Sequence, residues 1–488
     1  MHGTTQGNST ENVAENAAQP PQSPQLPALR RHPRLLTALA AALTLTGGAL
    51  LFLPGESAPV HRAPAPAPGA LAHAAVTTGM AAALPDLTAL IGEREAFVRR
   101  HPGDAPAWAV LGAAYVERGR RTAEATVYYP KAEHALRASL HASRTPDALT
   151  GLAALASARR DFRGAKEWSE AAVKAAPKRW TAYGPLIDAY TGLGDYKKAR
   201  ATLEKLMELH SGPAAQAKAS AVYRDRGWRE DAAAVLYDAS AKANSPAEQA
   251  ALLEQAGQLS WERGDFPDAL RHFQEAVRLD PDQRAAQAGE GRALAALGRT
   301  AEAPAAYKSA LTGQPLPEYA LELGELYESL GLAEQAHAEY ELLRARIRQD
   351  SAAGVDNELL LGRFEADHGD PEEAVTRLRA EWRRQPGIAV ADALGWALHR
   401  AGQHKKALWY LSIATDGTKG GGVRSASYLF HRGAIERELG KYGPARRHLK
   451  DALRINPRFS PLWAPRARAA LEALGEPPDV SVPKSRKG

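Results

Sequence analysis

From Trp108 onward, apolar residues recur every three to four positions in blocks of about a dozen residues, and Gly or Pro closes each block. That spacing lines apolar side chains along one face of a helix, and the breakers set the helix ends. A register emerges from the Gly between paired blocks: Gly194, Gly227, Gly264, Gly298, Gly331, Gly369, Gly402 and Gly440, with steps of 33, 37, 34, 33, 38, 33 and 38. Five residues after each stands Ala: Ala199, Ala232, Ala269, Ala303, Ala336, Ala374, Ala407 and Ala445. Nine residues after it stands a bulky apolar residue: Leu203, Leu236, Phe273, Tyr307, Tyr340, Leu378, Leu411 and Leu449. Two helices cross closely only where a small side chain admits the partner backbone, so Ala marks the crossing and the large residue fills the space beside it. Pro281, Pro315, Pro386 and Pro457 end second helices because proline lacks an N–H and clashes with the preceding turn. No unit buries its apolar face alone, so stability must come from stacking.

Ten such units fit about 105–457. The first opens on Trp108, Leu111, Gly112 and Tyr115, which fit W-x2-L-G-x2-Y; Gly324 and Tyr327 repeat its second half after Leu323. Ala269 with Phe273, and Ala445 with Leu449, give clean second helices. On these residues the chain resembles the tetratricopeptide repeat family. The resemblance implies an all-α, right-handed solenoid that binds protein segments in its concave groove. Two units depart from the pattern: the first has about eight extra residues between Gly119 and Ala132, and the second has Arg160 where Gly is expected.

The ends are different. Residues 1–34 are polar, rich in Gln, Asn and Pro, and read as a disordered segment ending in Arg30-Arg31-His32-Pro33-Arg34. Residues 35–53 are an uncharged apolar run, long enough as a helix to cross a bilayer. Basic residues before the run and Glu56 after it predict a cytoplasmic N-terminus, with the repeats outside the cytoplasm as a single-pass membrane protein. A cleaved signal with secretion, and a buried soluble helix, are the alternatives. Residues 54–83 are Ala- and Pro-rich and predict an extended spacer. A capping helix is expected over 84–104, another over 458–475, and a short disordered tail over 476–488.

Composition narrows the chemistry. The 488 residues include no Cys, which removes disulfides, thiolate metal sites and cysteine nucleophiles. H-E-x-x-H, G-x-S-x-G and P-loop motifs are absent, so no enzymatic activity and no cofactor are expected. Gly289 and Gly291 lie inside a helical block and read as packing residues. Asp370, Glu372 and Glu373 follow a turn and read as helix-start residues rather than metal ligands. His399 and His404 lie five apart across a Gly turn, off one helix face. The net charge of +6 is spread without a basic stripe, so no nucleic-acid partner is expected.

The resemblance places the groove on the first helix of each unit. In this register, units 1 to 4 present mainly small residues there, whereas later units present Trp261, Arg292, Glu325, Glu328, Arg363, Trp396, His399 and Arg437. Two Trp on a polar concave face suit a protein partner, with Arg beside them to take a carboxylate or stack on a ring. The alternative is that both Trp pack between units. The Lys and Asn that family members use to hold chaperone C-termini are missing from the corresponding positions. Filling of the groove by a second copy of the chain is a further expectation.

Overall fold

The computed structural model describes residues 67–417 and 422–476, all within one compact body, Ala65–Gly488. The expected segments 1–34 and 35–53, the start of the 54–83 spacer and nearly all of the 476–488 tail lie outside the described residues. Among those described there are 23 α-helices and no strand, and no helix is long and apolar enough to cross a membrane.

Ten helix pairs follow in sequence. Unit 1 is α3 (Ala105–Thr122) and α4 (Ala125–Ala142), unit 2 α5 (Pro146–Ala158) and α6 (Phe162–Ala175), unit 3 α7 (Tyr183–Gly192) and α8 (Tyr196–Leu209). Unit 4 is α9 (Pro213–Asp225) and α10 (Arg229–Ala241), unit 5 α11 (Pro246–Glu262) and α12 (Phe266–Leu279), unit 6 α13 (Arg284–Ala296) and α14 (Ala303–Gly313). Unit 7 is α15 (Pro317–Ser329) and α16 (Ala333–Ser351), unit 8 α17 (Glu358–His368) and α18 (Pro371–Arg384). Unit 9 is α19 (Ile388–Arg400) and α20 (His404–Thr415), and unit 10 α21 (Ala426–Glu438) and α22 (Tyr442–Ile455). Before them stand α1 (Pro68–Thr78) and α2 (Leu84–Arg100), and after them α23 (Trp463–Ala473).

The crossings are as tight as the sequence register requires. Ala269 and Ala445 are fully buried, as is Phe273. A methyl group on Gly257 would meet the Phe273 ring at 2.7 Å and one on Gly289 at 2.4 Å, so this ring is clasped between the first helices of two successive units. Gly112 lies against Leu136 and Gly324 against the Tyr340 ring in the same way. Tyr115 and Tyr327 are buried, and the Tyr115 hydroxyl donates to Glu95 at 2.5 Å. Trp108 packs half-buried, with its indole N–H on the Pro102 carbonyl at 2.9 Å.

One expectation needs correction, and two turns depart from the repeat in their own ways. The spacer ends early: Pro68–Thr78 is helical, capped by Gly79, and Ala72, Ala75 and Ala82 bury against Leu87, Leu90 and Ala114. Proline alternation stops at Pro68, which sits where helices tolerate proline, and alanine then favours the helix. The surplus residues of unit 1 lengthen its helices to 18 residues each instead of forming a loop; Gly119 is buried under Tyr129, and Ala123 takes the left-handed turn. Gly369, by contrast, is extended (φ −140°), so the turn of unit 8 does not use glycine's left-handed freedom.

A feature absent from any single-unit pattern is a seam between successive turns of the solenoid. The turns inside early units seat on the junctions between units about five further along. Arg121 of unit 1 reaches Asp280 at 2.7 Å and the Asp282 carbonyl at 3.0 Å. In unit 2, Arg159 donates to the Ala353 carbonyl at 2.9 Å, and Arg160, held at φ 59°, reaches Asn357 and Glu318. The Phe162 amide donates to Gln385 at 2.7 Å, and the Ile388 amide to the Tyr196 hydroxyl at 3.0 Å. Asn456 closes the series on the Trp261 carbonyl at 2.7 Å. Earlier in the chain, Met80 buries with Ala217, Leu236 and Leu252 of units 4 and 5. Ordinary solenoid units touch only their neighbours; here the coil also touches itself.

Candidate inner binding cavity

The seam walls off part of the inner face, leaving two cavities of about 600 and 440 Å³. Both are lined by Trp261, Ser425, Ser427, Tyr428 and Phe459. The larger is built from the first helices of units 5 to 10 and from the segment leading into α23. Trp261, Arg292, Glu325, Arg363 and Trp396 line it, whereas Glu328, His399 and Arg437 do not.

The two Trp residues part company. Trp396 is 5% exposed, stacks on His431 at 4.3 Å, meets Trp463 edge-on at 5.2 Å and donates its N–H to Asp367 at 2.8 Å. It is an inter-unit packing residue that shows the cavity only an edge, which corrects its reading as an open groove anchor. Trp261 is half-buried with its indole N–H unpaired, and the Arg292 guanidinium lies over its ring at 5.1 Å. Arg292 also holds Glu322 at 2.8 Å and reaches Gln258. The carboxylate of Glu322 therefore positions the guanidinium on the ring.

The acidic wall is largely spoken for. Glu325 faces His368 at 3.6 Å, and the other nitrogen of His368 lies 3.2 Å from Glu328. Burial pushes the Glu325 and Asp367 carboxyls above the usual carboxylate range. Asp392, buried, pairs with His431 at 2.9 Å. Arg363 is exposed and makes no ion pair among the described residues, so it is a charge the cavity leaves available.

Two expected site residues lie elsewhere. His399 and His404 do meet, Nδ1 to Nδ1 at 3.0 Å, across the turn that had seemed to separate them. Burial, then the neighbouring His404, lowers the His399 pKa to about 4. Arg437 pairs with the adjacent Glu438 at 2.9 Å. The register also missed Tyr428, His431, Phe459 and Trp463 of the wall. Tyr428 and His431 sit nine and six residues before Arg437, about two turns earlier on α21 than the pattern indicated, and Phe459 and Trp463 follow the last repeat. The aromatic run Phe459 to Trp463 was the available signal.

Asp370 caps α18, its carboxylate accepting the Glu372 amide at 2.9 Å. A methyl on Gly291 would meet the Tyr307 ring at 2.6 Å, a packing role like that of Gly289. Among the described residues, no three His, Asp or Glu side chains converge as a metal site.

The chain is similar to several solved helical-repeat structures. Yeast Tom70 is 14% identical, with 74% of this chain and 95% of that one covered at a TM-score of 0.34. A human IFIT1 dimer with PPP-AAAA is 16% identical, covering 79% and 94% at 0.42. PilF of Pseudomonas aeruginosa is 19% identical, covering 41% and 96% at 0.34. No curated protein sequence matches the chain. Residues 188–210 and 255–316 match tetratricopeptide repeat models, spanning the turn of unit 3 and most of units 5 and 6. These two segments are similar to tetratricopeptide repeats, and the same helix pairing continues through the ten units.

Proposed function

We propose that this protein is a non-catalytic interaction scaffold, held at or exported across the cell membrane by residues 35–53, that binds an extended segment of a partner protein along the inner face of units 5 to 10. The observation that carries the reading is the larger cavity. Its wall offers a half-buried indole, a guanidinium stacked on it and a second guanidinium, at Arg363, that makes no ion pair among the described residues. An apolar ring beside a positioned cation suits a peptide that brings an apolar side chain and a carboxylate. A regulatory or assembly role within a cell-envelope complex is the second reading.

The test places a photo-crosslinking amino acid at Trp261, at Arg363 and at the outward-facing Tyr237, which is 76% exposed. Expressed in the native cell, the two inner positions are expected to trap the same partner segment and the outer one not to. Crosslinks from Tyr237 alone, or none, would remove the reading.

A further inference from the structure

The seam makes one edge of every unit a docking edge, yet only the first half of the chain uses it. Where a unit is docked, its turn follows a pattern. In unit 3, Leu193 and Gly194 face the junction at Pro386, and a methyl on Gly194 would meet the Pro386 carbonyl oxygen at 2.5 Å. Tyr196, two residues on, takes the Ile388 amide. In unit 2, Phe162 holds the same place, its amide on Gln385. The junction that receives unit 3 is Gln385-Pro386-Gly387, with Gly387 buried.

Later units repeat the glycine turn with nothing on it, and unit 10 also repeats the aromatic two residues on, as Tyr442. Around Gly298, Gly331 and Gly440 an added methyl meets no atom within 4 Å. Leu297, Leu330 and Leu332 are 36%, 40% and 39% exposed at two adjacent turns, and Tyr442, in the place of Tyr196, is 58% exposed. At the other end of the chain, a receiving junction is also vacant. His101-Pro102-Gly103 repeats the Pro-Gly of the seated junction, with Pro102 and Gly103 exposed and no atom within 4 Å of a methyl on Gly103.

We propose that a second copy of this chain occupies the open edge: the turns of units 6 to 10 of one copy seat on the early junctions, around Pro102-Gly103, of the next, continuing between molecules the contact made within one. What argues for a copy is that the open turns repeat the glycine by which Gly194, Gly227 and Gly264 seat, unit 10 adds the aromatic, and the open junction repeats the Pro-Gly of the occupied one, all on the same chain. The contact is heterologous, so both edges stay available after each addition and the assembly grows end to end rather than stopping at a dimer. This goes beyond scaffolding of a partner segment, because it uses the outer edge and leaves the inner cavity free.

The experiment uses the full chain in a mild non-ionic detergent, which accommodates the apolar run 35–53, with protein mass read by light scattering. The wild type is expected to rise with concentration beyond two chains of 52.2 kDa. Tyr442→Glu with Leu330→Asp blocks one edge, and Gly103→Arg blocks the other; all three positions are exposed, and circular dichroism checks that each variant stays folded. Each variant alone is expected to fall below the wild-type mass. Mixed one to one, they are expected to form two-chain species, since each retains the edge the other lacks. A wild type of constant one-chain mass, growth unchanged in either variant, or a mixture no heavier than its components would each overturn the proposal. Crosslinking from Trp261 is unaffected by that failure, so the inner-cavity reading stands or falls separately.

Discussion

Arg121 and Asp280 are 159 residues apart in sequence and 2.7 Å apart in the folded chain, with both side chains almost fully buried. Burying two charges is repaid only while both are present, and removing one leaves the other stranded. Arg121→Ala is therefore expected to cost about 3–5 kcal/mol. Replacing the pair together, Arg121→Met with Asp280→Leu, is expected to recover most of that loss. Chemical denaturation of the single and double variants measures both, and a double-variant loss equal to the sum of the two single losses would show that the pair is not coupled.

The Phe273 ring has no room to retreat between Gly257 and Gly289. Gly289→Ala places its methyl 2.4 Å from the ring and is expected to destabilise by about 1–3 kcal/mol through overpacking. Ala269→Leu, at the neighbouring crossing, is expected to do the same. Combining Gly289→Ala with Phe273→Leu relieves the clash and is expected to cost less than the two changes summed. Denaturation midpoints across the cycle decide it.

Helix α1 covers Leu87 and Leu90, so a chain beginning at Met80 would expose them. Such a truncation is expected to melt at lower temperature and to bind a hydrophobic dye at the N-terminal end. Leu90→Ala, in the full chain, is expected to cost about 2–5 kcal/mol. An unchanged melting temperature for the truncated form would show that α1 contributes nothing to the body.

His399, lowered to about 4 by burial, gives a pH signature. The folded state resists protonating it while the unfolded chain takes the proton near the ordinary value of 6.5. Its contribution is thus intact above 6.5 and drains away as pH falls toward 4. His368 works in the other direction: burial disfavours its charge, but Glu325, Asp367 and Glu328 more than offset this and raise its pKa. Its contribution is complete below 6.5 and fades as pH rises past that value. Melting curves from pH 4 to 8 are expected to flatten on the acid side in His399→Gln and on the neutral side in His368→Gln. The same slopes in both variants as in wild type would refute the assignment.

The two tryptophans should separate stability from binding. Trp396→Ala is expected to cost about 3–5 kcal/mol, since its ring is buried among Phe430, His431 and Trp463. Trp261→Ala removes the half-buried ring that Arg292 covers, so it is expected to weaken partner crosslinking from Arg363 and to cost less stability than Trp396→Ala.

Helix pairing was legible because its cause is local. A Gly, an Ala five residues on and a bulky residue nine on are sufficient to place a crossing, and Ala269, Phe273 and Ala445 lie where that rule puts them. Helix α1 was missed because Ala72 and Ala75 look like spacer until a neighbouring helix makes their smallness useful. The cavity was half legible. Trp261 lies three residues before the Gly of its unit and Trp396 six, on the same expected groove face, and only the ring partners supplied by α21 and α23 distinguish the buried one. The seam was not legible at all. Its residues are Arg121, Arg160, Gln385 and Asn456, polar side chains at helix ends, and what they touch is set by the pitch of the whole coil rather than by any spacing within a unit.

A coil tied to itself in this way cannot change length freely. In an open solenoid, gaining or losing one repeat during evolution alters reach and little else. Here, duplicating a repeat anywhere between units 3 and 8 would slide Gly194 past Pro386 by a full module and bring Arg160 opposite a junction without Asn357. Repeat number is therefore locked by the fit of the two turns, and relatives of different length would have to lose the tie or rebuild all of it at once.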